Sequence, residues 1–359
     1  MVRLLRSLFT AALALSTLTN AAVVPIAGLD KRDVTPVADP VVVDSRGVNM
    51  RVTLRDGVLI AGYSTIENGR AYIRSAQSTN NGKSWTPLGI VTDRVASETD
   101  LSNAFPLNVN GRLLMAFRNH DKDASGKLTY YRLTICESTD GGNKWDFLSQ
   151  LDERAAVTPK NGLWEPFLRI AKDGSIQAYY SAENNDGDQD NIMKRSTNGG
   201  KDWSSIIPVT GSAVTARDGM MGVAEIGNNQ LMVVFESQLT GHMGIYAMIS
   251  TNDGATWESR RQIYAATSGN EAGAPQIIYV GGTIVVNFMS NEAKPELPDV
   301  DGGEQKIITS TNNGESWSAA QVLSGLGSHW PGLHTIDSSH FLSLYSFNGK
   351  GLVSQEFTL

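Results

Sequence analysis

Two acidic residues stand where acids are expensive. Glu236 ends the apolar run LMVVFE, and Glu165 lies between Trp164 and Pro166 in NGLWEPFL. A carboxylate in such surroundings costs free energy unless it faces a polar cavity. A pair of carboxyl groups facing each other across a cleft can cleave a glycosidic bond. One donates a proton to the leaving oxygen, and the other attacks the sugar or activates water. Arg118 ends a similar run, LLMAFR, and is followed by Asn119 and His120. Asp218 and Tyr345 are further polar groups that could line the same cleft. Surface acids in unrelated loops would give the same local pattern, so the elements that carry these residues decide the reading.

Those elements come from a repeat. The octapeptide STNNGKSW begins at Ser78 and returns as STDGGNKW at Ser138, STNGGKDW at Ser196, STNDGATW at Ser250 and STNNGESW at Ser310. The spacings are 60, 58, 54 and 60 residues. A period that regular marks repeated supersecondary units. Asn or Asp at the third position can bond the backbone two residues on. Gly at the fifth tolerates positive φ. The Trp that ends each copy is an apolar anchor. Each copy therefore predicts a tight turn between two strands. The preceding β runs align as VLIAGYS, RLLMAFRN, IQAYYSAE, LMVVFESQ, IVVNFMSN and FLSLYSFN, which makes six units. The sixth has no octapeptide and lacks a fourth strand, and the N-terminal run PVVVDS is unassigned. The expected fold is all-β: a six-bladed β-propeller whose ring is closed by that N-terminal strand completing the last blade.

If the octapeptide turn marks the bottom of each blade, second strands end at the top. That places Tyr63, Arg118, Ser181, Glu236, Met289 and Ser346 in one upper column. Glu165 falls at the upper start of blade three, on the blade next to Glu236. Glu225 falls at the other end of its strand. The acidic run Asn184–Asn191 lacks the spacing of a calcium loop and reads as a hairpin.

The remaining composition bounds the setting. Residues 1–22 have basic Arg3 and Arg6, an apolar run and small residues at Ala21 and Ala22, the pattern of a secretory signal peptide. Residues 23–32 end in Lys31-Arg32 and read as a propeptide, which leaves 33–359 as a single catalytic domain. The protein is expected to be secreted and extracellular. Net charge is −7 without a basic block, which argues against nucleic acid or a membrane as partner. A lone Cys136 excludes an internal disulfide and reads as a buried small side chain. No cofactor or metal is called for, and the expected oligomeric state is a monomer.

The octapeptides resemble the Asp-boxes of sialidase-like propellers. Together with GLWEPFLRI, LLMAFRNH, VVFESQ and the dibasic leader, the chain resembles the fungal exo-acting arabinanases of glycoside hydrolase family 93. The resemblance spans nearly the whole chain after the leader. It implies a retaining hydrolase that acts on linear α-1,5-L-arabinan, as in pectin side chains, from the non-reducing end and releases arabinobiose. It also implies Glu165 as acid/base and Glu236 as nucleophile. On that reading Glu165 has a raised pKa, and Glu236 stays ionised near Arg118. Arg118, Asn119, His120, Trp164, Asp218 and Tyr345 are the candidate substrate contacts. Two alternatives stand beside it. An exo-sialidase would need three arginines, for which Arg51, Arg118 and Arg217 are available. Blade five supplies none, Thr53 stands where Pro is usual, and only Tyr345 offers a tyrosine. The other alternative is a non-catalytic carbohydrate-binding propeller.

Overall fold

The computed structural model describes residues 33–267 and 269–359. The expected signal peptide and propeptide lie outside the described residues. Five four-stranded antiparallel sheets follow one another, and a sixth combines three C-terminal strands with two N-terminal ones. Blade one is Gly47–Arg55, Val58–Glu67, Arg70–Ser78 and Thr86–Val95. Blades two to five begin at Thr99–Val109, Leu163–Ile170, Asp218–Ile226 and Ala272–Val280. Blade six is Ser328–Thr335, His340–Phe347 and Gly351–Thr358.

The ring closes as the sequence predicts. Val41–Asp44 pairs antiparallel with Gly351–Thr358, and so does the short segment Thr35–Pro36. The first and last parts of the chain therefore hold each other, which suits a fold with a single, buried cysteine. Burial pushes the Cys136 thiol up to about 12, so it is an inert core side chain.

The core is not one block but a ring of six apolar layers, each between neighbouring blades. The layer between blades two and three is built on Leu114, Leu133, Leu168 and Tyr180. The layer between four and five is built on Val234, Ile245, Ile277 and Phe288. The other four follow the same plan. The octapeptide tryptophans wedge into these layers. Trp85 donates its indole N–H to Ser354 Oγ at 2.9 Å, across the closure between blades one and six.

The octapeptide turn is wider than expected. The third-position acceptor reaches the N–H four residues on, not two: Asn80 bonds Ser84 N at 2.9 Å and Asp140 bonds Lys144 N at 3.0 Å. The first-position serine fills the gap, with Gly82 N donating to Ser78 Oγ at 2.9 Å. All five copies repeat this geometry. The fifth-position glycines have φ between 79° and 99°, the left-handed region that favours glycine. The acidic run of blade three is a hairpin whose strands Ile176–Asn185 and Asp188–Ser196 pair directly.

One regularity belongs to the site. Each innermost strand carries a β-bulge near its start, and one residue of each bulge is left-handed. These residues are Asn49, Asn103, Glu165, Met220, Ala274 and Trp330, with φ of 58°, 56°, 40°, 43°, 54° and 50°. The register breaks around all six. A bulge re-aims a side chain out of the regular pleat. Four of this ring of six, Asn49, Asn103, Glu165 and Met220, line the central cavity.

Candidate active site

Glu165 belongs to that ring. A left-handed glutamate costs about 1 kcal/mol, so the surrounding structure must hold it. It lines the central cavity with Asn49, Arg51, Asn103, Met220 and Gln276. Arg118 Nη1 lies 3.9 Å from Glu165 Oε1, and its Nη2 donates to Asp100 Oδ1 at 3.1 Å. The Arg118 guanidinium also stacks 5.1 Å from the Trp164 ring. Burial pushes the Glu165 carboxyl up to about 7. The Arg118 charge opposes that push, while Glu236, Asp100 and Glu183 add to it.

Glu236 ends the second strand of blade four, in register with Gly219. Its Oε2 accepts the backbone N–H of Ala274, the left-handed residue of blade five, at 2.7 Å. Burial pushes this carboxyl up to about 7 as well. The Ala274 bond and the Arg217 charge hold it down, and Glu271 and Asp299 push it up. Two glycines make room for the carboxyl. A methyl on Gly219 would lie 3.0 Å from Oε1, and one on Gly273 would lie 2.7 Å from Oε2.

Two expectations about the pair need correction. Arg118 was expected beside Glu236 but lies beside Glu165. The cation acting on Glu236 is Arg217, held by Glu183 Oε1 at 2.8 Å and Gln189 Oε1 at 3.0 Å. Glu236 was expected to stay ionised, yet its desolvation outweighs its partners, so both carboxyls titrate near neutrality.

Of the six candidate contacts, Arg118 and Trp164 are beside Glu165 and the other four are not. Asn119 points the opposite way from Arg118, because strand side chains alternate. It accepts from Arg94 Nη1 at 2.9 Å and bonds Thr134. His120 is fully buried under Trp164. Its Nε2–H donates to Leu163 O at 2.9 Å and its Nδ1 accepts Arg132 N–H at 3.0 Å, which fixes the neutral tautomer. Burial and the Arg118 charge lower its pKa to about 3. His120 therefore clamps the strand that carries Glu165. Asp218 is fully buried and receives both Arg260 nitrogens, at 2.6 and 2.8 Å. Tyr345 is buried and donates to Gln355 Oε1 at 3.3 Å, facing away from Ser346, whose Oγ meets Asn49 N–H at the channel.

Several participants were not foreseen: Asp100, the Ala274 N–H, and Asn49 and Asn103 beside Glu165. Two asparagines at strand starts, a residue type tolerant of left-handed backbone, were the available signal. Arg51 also faces the cavity. It is half-buried, donates to Met50 O at 2.9 Å, and is pulled down to about 10 by desolvation, with Glu165 partly restoring it. Among the described residues, no group of three or more His, Cys, Asp or Glu is disposed to hold a metal. The arrangement offers two carboxyls able to exchange protons near neutral pH, which suits acid and nucleophile work.

Known structures share this architecture. The chain is similar to the GH93 alpha-L-arabinofuranosidase of Fusarium graminearum with arabinobiose, at 20% identity and TM-score 0.70, covering 89% of this chain and 97% of that one. It is similar to Penicillium chrysogenum alpha-L-arabinanase complexed with arabinobiose, at 21% identity and TM-score 0.69, covering 88% and 94%. A Hadza microbial sialidase shares the fold at 16% identity and TM-score 0.60, covering 88% of this chain and 66% of that one. No curated protein matches the chain. The BNR repeat-like domain profile matches residues 58–265, more than half of the chain. With its repeated turns and six-bladed ring, the protein belongs to the BNR repeat-like domain family.

Proposed function

We propose that this protein is a secreted, retaining glycoside hydrolase that acts on linear α-1,5-L-arabinan from the non-reducing end and releases arabinobiose. The observation that carries the reading is the pair of half-buried carboxyls, Glu165 and Glu236. They lie on adjacent blades at the same end of the channel, both held near a pKa of 7. The substrate assignment draws on the sequence resemblance and on two similar folds described with arabinobiose.

In this mechanism protonated Glu165 donates to the leaving oxygen. Ionised Glu236, oriented by Ala274, attacks the anomeric carbon. Water then attacks the glycosyl-enzyme ester, Glu165 takes its proton, and the sugar leaves with its configuration retained. Retention requires carboxyl oxygens about 5–5.5 Å apart, against roughly 6.5–9.5 Å for inversion. The anomer first released from linear arabinan, read by proton NMR, tests this step: inversion would refute the nucleophile role.

A sialidase needs arginines free to grip a carboxylate. Here Arg118 is bonded to Asp100, Arg217 to Glu183, and Arg51 to main-chain carbonyls. That weighs against the sialidase reading. Secretion and leader cleavage are tested by the intact mass of the exported chain, expected to begin at Asp33. Light scattering tests the monomer.

A further inference from the structure

The upper rim of the ring is lopsided. The hairpins joining second to third strands are short in blades one, three and six, spanning 68–69, 186–187 and 348–350. In blade five the same connection runs from 291 to 303. This strap is firmly tied at both ends. At its base, Glu292 Oε2 accepts Tyr264 Oη at 2.5 Å, Lys306 Nζ at 2.7 Å and Ser290 Oγ at 2.9 Å. At its far end, Asp301 Oδ1 meets His329 Nδ1 at 2.5 Å, and His329 Nε2 meets Asn348 Oδ1 at 3.0 Å.

Between these anchors the strap reaches Gly273, the glycine that also abuts the carboxyl of Glu236. Val300 is buried against Met220, Ala274, Met289 and Trp330. A methyl on Gly273 would lie 3.4 Å from Val300 Cγ2 and 2.7 Å from Glu236 Oε2, so the two flank the same glycine. The other side of the mouth is low. There, a cavity of about 460 Å³ opens between the tops of blades one and two, lined by Val48, Ile66, Asp100 and Lys122. Asp100 connects it to Glu165 through Arg118.

We propose that the strap 291–303 is the end wall of the substrate site, closing its blade-five side past the two terminal sugars so that cleavage is confined to the chain end. The inference rests on the glycosidase reading above. A chain stopped at blade five leaves across the rim, past Glu165, towards the short hairpins of blades one and three.

The test uses two linear α-1,5-arabino-oligosaccharides of equal length, one with an O-methyl cap on its non-reducing terminus. The wild-type protein should cleave the uncapped chain and slow by at least ~10²-fold on the capped one. A variant with 293–301 replaced by a short Gly-Asn turn, checked for a cooperative melt, should cleave both and rapidly thin a linear arabinan solution. Equal wild-type rates on the two chains overturn the wall, as does a folded shortened variant with unchanged products. If that variant does not fold, the capped and uncapped pair decides alone. No cleavage of either chain overturns the glycosidase reading, and the wall with it.

Discussion

Ala274 donates its backbone N–H to Oε2 of Glu236 at 2.7 Å, and the bond crosses from blade five to blade four. The donor is a left-handed bulge residue, with φ of 54°. Glu236 is therefore oriented by the neighbouring blade rather than by its own strand. Inter-blade packing and carboxyl geometry are one problem in this protein.

Gly273 tests that coupling. A methyl there falls 2.7 Å from Glu236 Oε2 and 3.0 Å from Met243 Sδ. Gly273→Ala is expected to lower kcat/KM by at least ~10-fold, about 1.4 kcal/mol of transition-state stabilisation, with the fold intact. Steady-state kinetics beside a thermal melt give the answer. Wild-type kinetics would show that the carboxyl has room to move.

The two carboxyls should fail differently. Glu236→Ala is expected to lose activity on every substrate. Glu165→Ala should lose ~10²–10⁴-fold on arabinan, the usual effect of a missing acid/base. On an aryl arabinoside with an acidic phenol the first step needs no proton, so that loss should shrink, and added azide should restore turnover. An equal loss on both substrates would remove Glu165 from the acid role.

The pH dependence follows from the raised carboxyls. Activity needs one proton on the pair, so the rate should be bell-shaped with both limbs set by the pair rather than by ordinary carboxylates. For stability, both groups titrate near 7 folded and near 4.5 unfolded. The folded state then holds more protons between those values, so stability falls as pH rises through 7. Glu165→Gln and Glu236→Gln should be more stable than wild type at pH 8, by at most about 3 kcal/mol each. The difference should vanish below pH 4. His120 acts in the opposite sense. Its folded pKa of about 3 lies below its ordinary 6.5, so its contribution is present above 6.5 and is lost as pH falls towards 3. Denaturant titrations across pH separate the two effects. Gln variants with wild-type stability at pH 8 would refute the desolvation argument.

Asp218 separates structural from substrate roles. Asp218→Asn leaves Arg260 buried without its anion, a loss of ~3–5 kcal/mol. Well below the melting temperature, KM should stay near wild type. A raised KM in a fully folded sample would return Asp218 to the substrate contacts.

Much of the fold was legible because the octapeptide does the same physical work five times. A serine, an Asx, a glycine and a tryptophan at fixed offsets specify one turn. The same logic placed Glu165 and Glu236 at one end of the channel. Strand alternation hid the rest. Arg118 and Asn119 are adjacent in sequence but face opposite blades, and Ser346 and Tyr345 do likewise. Asp218 looked available because its neutralising partner, Arg260, lies a full hairpin away. His120 looked like a cleft residue because its two main-chain partners belong to other strands. The left-handed bulges were signalled only by Asn49 and Asn103, since Glu, Met, Ala and Trp carry no such preference.

The most direct measurement is product analysis on debranched linear arabinan with wild type, Glu165→Ala and Glu236→Ala, beside a sialyl-lactose control. The account predicts arabinobiose from wild type alone and no sialic acid from any sample. Sialic acid release, or either alanine variant as active as wild type on arabinan, would contradict the two-carboxyl site.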